Sequence, residues 1–209
     1  IDWTDEQILD LHFYELSIKI PSSPVAPYIR QLHEELKQRG IKFRPHFWLS
    51  DDWFTPDGVP GIALPFYMAH IRLQKLELNQ MLEVEGGTAE WCMRILRHEV
   101  GHAIDNAYQL RRLRQRQKLF GKSSKPYPKW YTPKPYSKRY VVHLDMWYAQ
   151  SHPDEDFAET FAVWLDPDSN WKERYAGWPA FRKLRYLDEL IKSLVNRPCL
   201  LYTSDAADE

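Results

Sequence analysis

Apolar positions recur at helical spacing along most of the chain, interrupted by a short alternating stretch. Ile8, Leu9, Leu11 and Leu16 stand among charged residues behind Thr4-Asp5-Glu6, which predicts a helix over Trp3 to Ile18. The prolines between Pro21 and Pro27 break it. A second helix, over about Ala26 to Arg39, stops at Gly40, a residue suited to a C-terminal cap. Ile41 to Leu49 alternates and is aromatic, the pattern of a strand, and Pro45 puts that strand at a sheet edge. Residues 51–61 are rich in turn formers. Ile62 to Met68 predicts a further strand, as does a segment within Leu73 to Val84, although the part from Leu73 to Gln80 fits a helix equally well.

The strongest periodicity comes next. Trp91, Ile95, Leu96, Val100, Ala103, Ile104, Ala107 and Tyr108 mark a helix from Ala89 to about Leu110, with Thr88 as its N-cap. Lys118 to Tyr140 reads as a long irregular excursion. Pro153 opens another helix, which runs to about Leu165 and stops before Pro167, and a last helix covers about Pro179 to Val195. Helices, then strands, then helices predict an α+β fold with a small mixed sheet, built as a single domain over residues 1–198.

Composition narrows the function classes. The 209 residues are 44% apolar and 14% aromatic, so the chain buries a core and is not disordered. Two cysteines exclude a disulfide scaffold or a cysteine-built zinc site; Cys92 is expected to pack as a small apolar residue. No apolar run reaches the length of a membrane span, and the cytoplasm is the expected compartment. The 28 basic and 29 acidic residues nearly cancel, so nucleic acid is not an expected partner. The balance hides a segregation, however. From Asn106 to Leu144 there is no acid but eleven Lys or Arg, interleaved with Tyr127, Trp130, Tyr131, Tyr136 and Tyr140. This Pro-, Lys- and Tyr-rich insert, about residues 111–140, reads either as a cationic surface for an anionic partner or as a solvated flap whose aromatics cover the neighbouring helix.

Both ends look foreign or cut. The chain opens at Ile1 inside an element, and residues 199–209 resemble the in-frame translation of a transposase sequencing adapter, so they are left out of the fold.

The chemistry sits in the long helix. His98-Glu99-Val100-Gly101-His102 is an H-E-x-x-H sequence. Four residues apart, the histidines lie on one helix face about 6 Å apart along the axis, so both imidazoles can reach one ion. Glu99 projects beside them as the general base for a water on a catalytic Zn2+, which lowers the pKa of that water and polarises a scissile carbonyl. Gly101, in a helix interior, marks close packing. A metzincin would need Gly at 105 and His at 108, but the chain has Asp105 and Tyr108. Asp105 is too short and too far along the axis to be a third ligand, so it is expected to orient a ligand histidine through the ring nitrogen that does not bind metal. Downstream, Glu155 and Glu159 lie one turn apart on a helix that is otherwise apolar, and spacing alone does not choose between them or exclude a solvated face. His143 and His152 bracket Tyr148, and either could line a cleft.

His98-Glu-Val-Gly-His102-Ala-Ile-Asp105, followed by Tyr148 and by Glu155-Asp-Phe-Ala-Glu159, resembles the catalytic core of the anthrax lethal factor and Mlc titration factor metallopeptidases. Residues from about Trp48 to Leu187 are more closely similar to bacterial zinc-binding metallopeptidases. The resemblance implies a zincin-like domain of gluzincin type that hydrolyses peptide bonds in protein or peptide substrates. It implies zinc held by His98, His102 and Glu155, with Glu99 as general base and Tyr148 stabilising the oxyanion or assisting the leaving amine. Glu159 is then a second acid supporting the site. The insert has no counterpart in that pattern, so specificity does not carry over. Two other readings of the motif are a zinc amidohydrolase acting on cell-wall or other non-protein amides, and a metal-stabilised regulatory or binding module with little turnover.

Overall fold

The computed structural model describes residues 4–195, so the adapter-like tail lies outside the described residues. The first helix, α1, spans only Asp5–Leu9. Thr4 and Gln7 close a reciprocal capping box at its start, but at Asp10 the chain turns away into short 3-10 segments, Phe13–Glu15 and Ile20–Ser22, with Ser17 at φ +49° between them. The helix expected over residues 3–18 is therefore one short helix and a bend. Of its apolar residues, Ile8 and Leu16 are still buried, while Leu9 is exposed.

Helix α2 spans Ala26–Gln38, and Gly40 follows at φ +74°. Strand β1 is His46–Ser50 and β2 is Gly61–Pro65, paired in parallel from His46↔Gly61 to Ser50↔Pro65. The sheet is thus smaller than expected, and parallel rather than mixed. Phe54 in the connecting loop adds one antiparallel bridge to Ala63. The regular strand begins only at His46, so the strand expected from Ile41 is shortened to its second half. The strand expected over Ile62 to Met68 ends at Pro65 and gives way to a 3-10 turn, Phe66–Ala69, and Ile71–Met81 forms helix α3, the helical alternative for that segment.

Helix α4 spans Ala89–Tyr108, capped by the Thr88 hydroxyl, which accepts from Trp91 N at 3.2 Å. Helix α5 (Arg114–Phe120) opens the insert, whose remainder is irregular until a 3-10 segment at Asp145–Gln150. Helix α6 is Pro153–Leu165, with its N-cap supplied by His152 Nδ1, which accepts from Asp154 N. The short α7 (Trp171–Arg174) and the amphipathic α8 (Phe181–Leu194) complete the described chain.

The core is centred on α4 against α6. Every residue from Asp154 to Leu165 is buried, which removes the solvated-face reading of Glu155 and Glu159. Gly101 sets the spacing of this pair. A Cβ there would lie 2.8 Å from Ala158 Cα and 3.0 Å from its carbonyl oxygen, a contact that neither backbone can relieve alone. On the far side, α2 is clamped to α4 by a buried two-point pair, Arg97 to Glu35 at 2.7 and 2.8 Å. Helix α8 closes over α6 through Lys183, whose ammonium donates to Asp156 at 2.6 Å.

Candidate metal centre

Helical spacing puts His98 and His102 on the same face of α4, and the Gly101 contact brings the first turn of α6 up to them. Their Nε2 atoms are 3.1 Å apart. Glu155 Oε2 lies 3.0 Å from the first and 3.2 Å from the second. Zinc bonds of about 2.0–2.1 Å in tetrahedral geometry place neighbouring donor atoms about 3.3 Å apart. Two imidazole nitrogens and one carboxylate oxygen thus form a nearly equilateral triangle of the size and chemistry that suit zinc. Among the described residues, these three are the group able to hold a metal ion.

The supporting contacts fix which atoms face inward. Glu159 is fully buried, and its Oε1 lies 2.8 Å from His98 Nδ1 while its Oε2 accepts from Leu144 N at 2.9 Å. With Nδ1–H donated to Glu159, the His98 Nε2 lone pair points into the triangle. Burial disfavours charge on His98, but the hydrogen bonds of Glu155 and Glu159 outweigh it and hold the imidazole well above its ordinary range. Burial also disfavours the Glu155 carboxylate, yet the two imidazoles beside it pull its pKa far below the usual carboxylate value.

Glu99 lies on the cleft side of α4. It is buried, and its Oε2 has no hydrogen-bond partner among the described residues, an arrangement that costs free energy unless something in the cleft uses that oxygen. Tyr148 reaches the site through an unusual turn. Met146 and Trp147 are consecutive left-handed residues at φ +56° and +53°, braced by the Tyr131 hydroxyl, which donates to Met146 O at 3.0 Å. Tyr148 then sits with its ring 5.7 Å from that of His98. Burial and the nearby Glu155 carboxylate push its phenol well above the ordinary range, so it stays a donor.

Glu99, Tyr148, His98, His102 and Glu155 open onto one cleft of about 610 Å³. Its walls include Trp53, Phe54 and Thr55 of the β1–β2 loop, which the sequence did not single out, and Tyr127 and Tyr131 from the aromatics of the insert. The loop is pinned to α4, since Thr55 donates to Glu99 O and Asn106 donates to Pro56 O and Val59 O. Interleaved tyrosines were the one visible signal for the insert wall.

One expected placement differs, and the two histidines left open find other partners. Both carboxylate oxygens of Asp105 are engaged by the insert rather than by a histidine. The carboxylate accepts from Arg111 N at 2.6 Å and from Arg116 Nη2 at 2.9 Å, so it joins the insert to α4. His143 is tied to the backbone of α4, with its Nε2 2.9 Å from Arg94 O, and burial lowers its pKa. His152 is taken up in capping α6 and in holding the insert, with its Nε2 2.9 Å from Lys125 O. Neither histidine lines the cleft. Two of the eleven basic residues of the insert are scaffold: Arg116 is wholly buried between Asp105 and Asp154, and Arg111 reaches Asp57 and Asn106. Cys92 packs in the core, where burial raises its thiol pKa to about 12.

A family model described as "Putative zinc-binding metallo-peptidase" matches residues 93–174. That span runs from α4 through α7 and contains all five residues of the cleft named above. No curated protein and no solved structure matches the chain. The match supports a zinc-binding metallopeptidase in general terms, hence a hydrolase of protein or peptide substrates. Among the described residues, no helix is long and apolar enough to cross a membrane.

Proposed function

We propose that the protein is a gluzincin-type zinc metallopeptidase, with zinc held by His98, His102 and Glu155. The observation that carries this reading is the donor triangle, with its separations of 3.0 to 3.2 Å, beside a buried carboxylate oxygen that lacks a partner. When bound, zinc supplies Lewis-acid polarisation of a carbonyl and acidifies a water toward a pKa of about 7.

The remaining work belongs to the chain. Glu99 takes the proton from the attacking water and returns it to the departing amine, a role suited to its free Oε2. Tyr148, held protonated, donates to the oxygen on which negative charge develops. Glu159 keeps the His98 ring turned so that Nε2 faces the triangle. The β1–β2 loop on one side and the insert on the other bound the space that a peptide would occupy.

The test is a peptide-library digest by purified protein, with and without chelator, beside the Glu99→Gln variant. Wild type should cut, chelator should stop it, and zinc should restore it. Glu99→Gln should retain one zinc per chain and lose about 10²–10⁴-fold in turnover. Zinc-loaded protein that cuts no peptide in the library would sink the peptidase reading.

A further inference from the structure

Tyr127 comes from the irregular part of the insert, yet its hydroxyl donates to Glu155 Oε1 at 2.7 Å. The two oxygens of this carboxylate therefore have separate duties. Oε2 faces His98 and His102, and Oε1 is occupied by the phenol. The phenol is itself held in position. Its ring stacks on His152 with centroids 3.8 Å apart and planes 16° from parallel. His152 is fixed at both nitrogens, by Asp154 N at the start of α6 and by Lys125 O two residues before Tyr127. Insert, helix cap and carboxylate form one closed loop of contacts.

We infer that Tyr127 is a positioning residue that makes Glu155 bind metal through a single oxygen, keeping a coordination position open toward the cleft. This rests on the reading of Glu155 as a ligand. A glutamate with both oxygens free can rotate and bind a cation with both, raising the coordination number and filling the side from which water and substrate approach. A hydrogen bond of 2.7 Å to one oxygen opposes that rotation, because the second metal bond would have to replace it. The insert thereby does more than cover the site: it sets how the third ligand is presented.

Cobalt is the probe, since the visible absorption of Co2+ reports coordination number independently of turnover. Full-length wild type, Tyr127→Phe and Glu155→Gln would each be titrated with Co2+, then with zinc in competition against a chromogenic chelator. Tyr127→Phe keeps the ring and its stacking, so the fold is preserved, and circular dichroism checks this. The inference expects intense, four-coordinate cobalt bands in wild type and weaker, higher-coordinate bands in Tyr127→Phe. Zinc affinity should fall by roughly 10–100-fold in the variant. A Tyr127→Phe protein with the wild-type spectrum and affinity overturns the inference while Glu155 stands as a ligand. If Glu155→Gln also matches wild type, the ligand assignment falls, and the inference with it.

Discussion

Helix α6 carries four consecutive or near-consecutive buried acids, and its two sides treat them differently. Asp154 and Asp156 meet fixed cations: Arg116 at 2.6 Å and Lys183 at 2.6 Å. Glu155 and Glu159 meet no permanent cation among their hydrogen-bond partners, which are imidazoles, the Tyr127 hydroxyl and a backbone amide. Arginine and lysine keep their charge through the ordinary pH range, so a carboxylate paired with them is committed to structure. Imidazoles can give up their protons, so a carboxylate facing them can exchange a proton-mediated contact for a shared metal. The same residue type on one helix thus reads as scaffold or as site according to whether its partner's charge is permanent.

That contrast can be broken from either side. The largest effect is expected from His98→Ala, which removes one of three donors and should take zinc content from one per chain to near zero by elemental analysis. A variant that still holds stoichiometric zinc would mean that the triangle is not the metal site. On the scaffold side, Arg116→Met should lower unfolding stability by about 3–5 kcal/mol, because Asp105 and Asp154 are left buried without their cation, yet the purified variant should still take up zinc. Equal stability in a denaturant melt would show that this pair carries no structural weight. The smallest effect is expected from Glu159→Gln, which preserves shape and one hydrogen bond to His98 but not the charge. Zinc affinity should fall by about 10–100-fold, with the global melt less affected than by Arg116→Met. The reverse order of sensitivities would erase the distinction between the two sides.

The elements that carry the candidate site were more legible in the sequence than the rest of the fold. His98 and His102 were legible because helical periodicity is local, and α6 was legible because Pro153 and Pro167 frame it. Glu155 was separated from Glu159 by resemblance alone, since residues one turn apart on a buried helix differ only in what faces them. Asp105 was misread for the same reason: its azimuth pointed near the histidines, but its partner Arg116 arrives from the next helix through a buried pair no periodicity reveals. Tyr127 was invisible as a contact because irregular backbone has no repeat to place its side chain. The overlong first helix and first strand share a cause. Apolar spacing records which residues face the core, and Ile8, Leu16, Ile41 and Phe43 do so, whether or not the backbone between them closes regular hydrogen bonds.

Gly101 bears on how such a chain can change. Alanine at that position would strengthen an isolated helix by about 1 kcal/mol, so any adjustment guided by local helix strength favours it. The neighbouring backbone stands 2.8 Å from where the methyl would go, and the two helices would have to part by a fraction of an ångström. The donor triangle spans those same two helices and tolerates little more than that before one side exceeds bonding reach. The spacing of the donor triangle is therefore written into a residue that contributes no atom to it, and drift there is opposed by the backbone contact and, on the proposed reading, by coordination geometry as well.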